Sequence, residues 1–187
     1  YGYISTQRCL GASGSKTQII RGDEANSNSD YGKPGMFGED LNSSFYTIEQ
    51  PYTLMYTTAS QASYIIEEAP KVDFSGNEKL RNAYIGEAHF WRAFAHYYLL
   101  TNFRQVSPIR QMPRGAEDYV RKPESPEAVW DFIKEDLERA KELLPEKGYW
   151  TGDNAGRVSK AAAAALQGIC YMYRTGIEKH YGTSTQT

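Results

Sequence analysis

Two stretches of small residues set the tightest limit on what this chain can build. One reads Gly86-Glu87-Ala88-His89-Phe90-Trp91-Arg92-Ala93. The other is Gly156-Arg157-Val158-Ser159-Lys160 followed by five alanines, Ala161 to Ala165. Small side chains on a helix face let a neighbouring backbone come close, so each stretch predicts the inner helix of a packed helix pair. A third amphipathic segment, Ser125 to Leu144, lies between them. Stacked helix pairs make a scaffold for holding something and offer little on which to build a catalytic centre.

The apolar spacing extends this reading along the chain. Phe45, Ile48, Tyr52, Met55, Ala59, Ala62, Ile66 and Ala69 recur three and four residues apart, which predicts one helical stripe. Pro51 falls inside it and must either kink the helix or occupy its first turn. Pro70 ends it. After a turn at Ser75-Gly76-Asn77, a second face carries Leu80, Tyr84, Glu87, Trp91, Phe94, Ala95 and Tyr98. Glu87 is the odd member of that face, and it predicts a strut to an arginine, Arg92 or Arg157, because a buried carboxylate needs such a partner to stay ionised. Pro108, Pro113 and Pro123 exclude a continuous helix over residues 102–124. Ser125 reads as an N-cap with Pro126 at the first helical position and Glu127 near the positive helix end. Val129, Ile133, Leu137, Ala140 and Leu144 form the third stripe, closed by Pro145. The fourth helix is expected from Ser159 to Arg174, capped by Thr175-Gly176. Tyr52 and Val129, or Trp91 and Ile169, are matching points 77 and 78 residues apart, about twice a helical-repeat period.

Elsewhere the signal is loop. Residues 1 to 10 have the character of a helix end. Residues 11–40 are rich in Gly, Ser, Asn and Asp, and long ordered loops in compact domains are usually functional. Chemical motifs are sparse. Gly11 to Thr17 brings a phosphate-binding loop to mind, but Ser15 and Leu10 stand where its glycines belong. His89 and His96 share a helix face with no acidic group to complete a metal set. Asp23 and Glu24, or Asp153, are available carboxylates for glycoside hydrolysis. Arg21-Gly22-Asp23 and Asn42-Ser43-Ser44 match an adhesion tripeptide and a glycosylation acceptor that both arise readily by chance. Cys9 and Cys170 are too few and too far apart for a disulfide framework or a zinc site, and Cys170 reads as a buried, inert thiol. In 187 residues, 21 basic side chains stand against 23 acidic ones, with no basic stripe for a nucleic acid. No apolar run is long enough to cross a membrane. Fifteen tyrosines are the unusual count, since a flat ring with a polar tip suits both sugar rings and protein interfaces.

The order of segments resembles the N-terminal half of the SusD/RagB family of outer-membrane nutrient-binding lipoproteins. Gly86 to Phe94 is similar to the family's Gly-Glu-Ala-Arg-Phe-Leu-Arg-Ala helix, with His89 in place of an arginine. Val106-Ser107-Pro108-Ile109 follows as its Val-Pro-Leu-like turn, although Phe103-Arg104-Gln105-Val106 lacks the glycine common there. Val129-Trp130-Asp131-Phe132-Ile133-Lys134-Glu135-Asp136-Leu137, with Ala140 and Leu144-Pro145, is similar to the family's Asp-Leu…Ala…Leu-Pro segment. Gly156-Arg157-Val158-Ser159-Lys160-Ala161-Ala162 resembles its Gly-Arg-Val-Thr-Lys helix start. The match spans Phe45 to Tyr173.

That resemblance implies an all-α fold of antiparallel helix pairs packed as tetratricopeptide-like repeats with long ordered loops. Residues 1–187 would be the N-terminal part of a SusD-like domain, with a loop at 11–40 and helix pairs at 45–101 and 125–175. It implies a cell-surface glycan-binding lipoprotein of the outer membrane, anchored by lipid outside this chain and delivering oligosaccharides to a SusC-like TonB-dependent transporter. No catalytic residue, metal or cofactor is expected. Candidate ligand contacts are Asn26, Asp30, Tyr31 and Phe37 in the long loop, with Tyr149 and Trp150 as a second set. The same residue types also pin loops to helices. Three alternatives stay open: a RagB-type peptide-binding member, a tetratricopeptide-like adaptor, and a glycan-cleaving enzyme using loop carboxylates.

Overall fold

The computed structural model describes residues 46–181. Their helices are α1 (Tyr46–Glu68), α2 (Glu78–Phe103), α3 (Pro126–Leu143) and α4 (Lys160–Tyr181), with short 3-10 turns between them. Among the described residues the β-type pairing is a single bridge between Val106 and Glu124. The fold is all-α, as the periodicity required. The expected helix end at residues 1–10, the 11–40 loop and Cys9 lie outside the described residues.

The chain divides into two compact units, Tyr1–Thr58 and Ala59–Thr187, with the boundary inside α1. In the first, Pro51 sits within the helix, where it removes one helical hydrogen bond. The Thr57 and Thr58 hydroxyls donate to the carbonyls of Thr53 and Leu54, each at 2.8 Å. Tyr52, expected on the apolar stripe, is exposed, while Met55 further along it is buried.

In the second unit the contacts run in opposite order along successive helices. Gly86 of α2 meets Leu143 at the end of α3, His89 meets Asp136, and Tyr97 meets Trp130. Lys141 and Asp131 of α3 likewise meet Gln167 and Arg174 of α4. Local chemistry sets the helix starts. The Asn77 side chain accepts from Leu80 N at 3.0 Å, and the Ser125 hydroxyl accepts from Ala128 N at 3.3 Å with Pro126 at the first position. The third stripe is buried throughout, from Val129 to Leu144.

The two small-residue stretches turn out to work differently. A Cβ placed on Gly86 would lie 2.9 Å from both Leu143 Cβ and Leu144 N, so this glycine is a true point of backbone approach. Gly156 has nothing within 4 Å and is needed for its φ of +89°. Of the five alanines after it, Ala163 is fully buried and Ala162 partly so, while Ala161, Ala164 and Ala165 are exposed. The fourth helix also runs past the expected cap at Thr175-Gly176 to Tyr181. Cys170 is buried, and burial pushes its thiol up to about 12, which fits an inert role.

A buried polar cluster ties these elements together. Arg92 makes a two-pronged contact with Asp136: Nε donates to Oδ2 at 2.8 Å and Nη2 to Oδ1 at 2.7 Å. Its Nη1 donates to the Ser63 hydroxyl of α1 at 3.1 Å and to the Arg110 carbonyl at 2.8 Å. His89 Nδ1 lies 2.7 Å from Asp136 Oδ1. Burial pushes the Asp136 carboxyl up, but the hydrogen bonds from Arg92 and His89 outweigh it and leave the group below its usual range. An ionised carboxylate only accepts, so the His89 proton on Nδ1 is donated to it.

His96 fastens the 104–125 connection to α2. The Ile109 N–H donates to its Nε2 at 3.0 Å, so Nδ1 carries the proton and donates to the Arg92 carbonyl at 2.8 Å. A second proton would set N–H against N–H. Burial lowers this imidazole from 6.5 to about 4.

Two outcomes follow for stability. Gly86→Ala should lower the unfolding free energy by about 1–3 kcal/mol through overpacking, read from urea titration. Between pH 6.5 and 4 the unfolded chain takes up a proton at residue 96 that the folded chain refuses. Stability should therefore fall with falling pH by at most about 1.4 kcal/mol per unit. Asp136 extends the loss below its ordinary 3.8. His96→Gln should remove the slope between pH 6.5 and 5; a retained slope would show that another group titrates there.

Candidate functional site

Tyr149 and Trp150 are the sequence candidates that lie among the described residues, and they stand in the connection between α3 and α4. That connection must turn back over α2, and residues 151–156 along it are exposed. It is held at two places. Lys160 N donates to the Pro145 carbonyl at 2.9 Å, which closes the base. Above it, the Trp150 indole N–H donates to the Val158 carbonyl at 2.9 Å.

The second place is an aromatic and cationic cluster against the first half of α2. The Trp150 ring stacks on Tyr84 with centroids 6.1 Å apart and planes 30° apart, and Tyr149 meets it edge-on at 4.9 Å. Phe74, just before α2, packs 6.1 Å from Tyr84. The Arg157 guanidinium lies 4.6 Å from the Tyr84 centroid and 4.8 Å from that of Trp150. The Lys79 ammonium stands 4.7 Å from the Tyr149 centroid.

Glu87 completes the cluster from below. Arg157 donates Nε to Glu87 Oε2 at 3.1 Å and reaches the same oxygen through Nη2, while Val158 N lies 3.4 Å from Oε1. Arg157 Nη1 also donates to the Asn154 side-chain oxygen at 3.3 Å. The strut expected for Glu87 is thus the one to Arg157, and Arg92 is engaged with Asp136. Trp150 has its N–H and much of one ring surface occupied within the fold. Tyr149 is half-buried beside exposed Thr151, Asp153 and Asn154.

Sequence reasoning did not name Lys79 or Phe74, since neither stands on a stripe or in a motif. Tyr84 was visible only as a stripe member. Asn26, Asp30, Tyr31 and Phe37 lie outside the described residues. Among the described residues no three His, Cys, Asp or Glu side chains come together as a metal site. No described helix is long and apolar enough to cross a membrane. What the cluster offers chemically is aromatic surface beside cations and loop amides and hydroxyls, a combination suited to polyhydroxylated rings.

Comparison with known proteins places this architecture. The family model described as "SusD-like_3: Starch-binding associating with outer membrane" matches residues 11–172. The chain belongs to the SusD-like family. The SusD-like protein P2 of Formosa agariphila is 28% identical over 185 residues, which is 96% of this chain and 35% of that protein. Solved SusD-like structures share the fold. One from Bacteroides fragilis superposes with a TM-score of 0.64 at 22% identity, covering 74% of this chain and 26% of its own. The surface glycan-binding protein A of Bacteroides fluxus has a TM-score of 0.60 at 25% identity, covering 71% and 27%. A laminarin-binding SusD-like protein has a TM-score of 0.59 at 25% identity, covering 73% and 30%. The chain therefore spans about a third of the length of these relatives.

The three motifs that carry the family likeness are joined here by two ion pairs, Glu87 with Arg157 and Arg92 with Asp136. Glu87→Ala would strand the Arg157 charge against two rings. It should cost about 1.5–3 kcal/mol in urea unfolding, the worth of hydrogen bonds to a charged group. A change under about 0.5 kcal/mol, the surface-substitution range, would reduce the strut to a surface contact.

Proposed function

We propose that this chain is part of a cell-surface glycan-binding lipoprotein of the outer membrane, capturing oligosaccharides and delivering them to a SusC-like TonB-dependent transporter. The observation that carries the reading is the family match over residues 11–172, whose description names starch binding and the outer membrane. A laminarin-binding relative of the same fold supports the carbohydrate class. In this reading the helices are the rigid holder and the loops meet the ligand. Asn26, Asp30, Tyr31 and Phe37 supply one set of contacts. Tyr149 and Trp150 supply another, with the Tyr149 ring against a sugar face and Trp150 setting its direction.

Binding without turnover is the proposed mode. The carboxylates buried among the described residues, Glu87 and Asp136, are both bonded to arginines. A general acid for glycoside cleavage needs a raised pKa, and Asp136 is held low.

Electrophoresis through gels containing laminarin or starch tests the proposal. The chain should be retarded in at least one of them and release no shorter sugars. Tyr149→Ala should weaken the retardation about tenfold, within the worth of one stacked ring, with the unfolding midpoint unchanged. Retardation by a peptide mixture in place of either glycan would move the assignment to a peptide-binding member. Release of oligosaccharides would replace binding by hydrolysis.

A further inference from the structure

Residues 151–156 are exposed, so apolar burial does little to fix the connection at its far end. Backbone turns and the Trp150–Val158 bond order it in part, and one cation adds the side-chain contacts that join it to α2. Arg157 is bonded to Glu87 of α2 and Asn154 of the connection, and its planar group covers the rings of Tyr84 and Trp150. Its side chain is 24% exposed against 7% for Glu87, so the pair is well shielded from water. Trp150, fixed on that group and by its bond to the Val158 carbonyl, supports Tyr149 edge-on. A fork that accepts two rings and a carboxylate at once requires a guanidinium; an ammonium keeps the charge and loses the plane.

We propose that Arg157 is a positioning residue for glycan recognition, setting the orientation of Tyr149 through Trp150. This rests on the reading of Tyr149 as a ligand contact. Arg157 itself touches no ligand; it acts by removing alternative arrangements of the connection before binding, so its loss appears as a lower fraction of competent molecules. The conservative change Arg157→Lys keeps a charge for Glu87 and loses the planar group that lies against both rings at once.

Two measurements on the full chain test this. In the first, without ligand, Arg157→Lys should speed amide exchange over residues 146–156 roughly tenfold while leaving α2 and α3 unchanged. Unchanged exchange in the connection would overturn the proposal whatever the ligand. The second is a double-mutant cycle read by retardation in laminarin gels. Arg157→Lys should weaken binding about tenfold in the native background and have no further effect beside Tyr149→Ala. Equal weakening in both backgrounds would mean that Arg157 acts directly or through the fold as a whole, which overturns positioning and leaves the glycan assignment standing. A native chain that ignores laminarin would remove the assignment for that glycan and the proposed role in binding it with it.

Discussion

The fork between Arg92 and Asp136 is the contact from which the rest of the second unit takes its arrangement. A carboxylate buried at the middle of α3 is costly unless charge and hydrogen bonds meet it, and Arg92 and His89 of α2 do so together. The remaining guanidinium nitrogen reaches Ser63 of α1 and the carbonyl of Arg110. One side chain therefore touches two other helices and the connection that joins α2 to α3. Apolar layers can slide by a turn with modest loss, whereas a two-pronged bond is satisfied at one register, and we read the pair as the element that fixes it. Phe132 is enclosed by the same groups, 5.1 Å from the Arg92 guanidinium and 4.5 Å from that of Arg110.

Glu87 and Arg92 are five residues apart, which turns them about 140° from each other around a helix. One faces the start of the fourth helix while the other faces the third. That explains why α2 is buried on more than one side, with Ala83, Gly86, Ala88, Ala93 and Leu99 all enclosed, and why a single-stripe reading of it was incomplete. A helix enclosed in this way must be narrow, which is the physical content of its many alanines and of Gly86 against the end of α3.

The sequence was most legible where one face met one partner. The third helix was readable in full: cap, proline, stripe and closing proline each report a local rule, and all coincide. Less was legible where residues distant along the chain decide the outcome. Glu87 announced a buried charge, but the choice between Arg92 and Arg157 depends on which element crosses above it. His89 and His96 looked alike by spacing, yet one donates to Asp136 and the other accepts from Ile109. Gly156 reads as a packing residue because the stretch it opens runs into five alanines, and only the backbone shows that its positive φ is what matters. Thr175-Gly176 looked like a stop because glycine usually ends helices, but α4 runs on to Tyr181. Of the candidate ligand residues, the environment of Trp150 was the least readable, since its partners Tyr84 and Val158 come from two different segments.

Motif and site thus separate in an informative way. Of the residues that make the chain recognisable as SusD-like, Gly86, Glu87, Arg92, Asp136 and Arg157 are spent on holding helices in place, and the two buried carboxylates among them are bonded to arginines. In the proposed reading, recognition falls to the segments that the motifs bracket. The connection after α3 illustrates the coupling: Arg157 belongs to a motif, yet of the two rings it covers one, Tyr84, is in α2 and the other, Trp150, is in the loop. On that reading, a change in loop sequence would alter what is bound while the guanidinium platform beneath it stays the same. Specificity would then vary among proteins that share the same helices, because the scaffold would meet the cost of ordering the loop and leave the choice of ligand to the side chains above it.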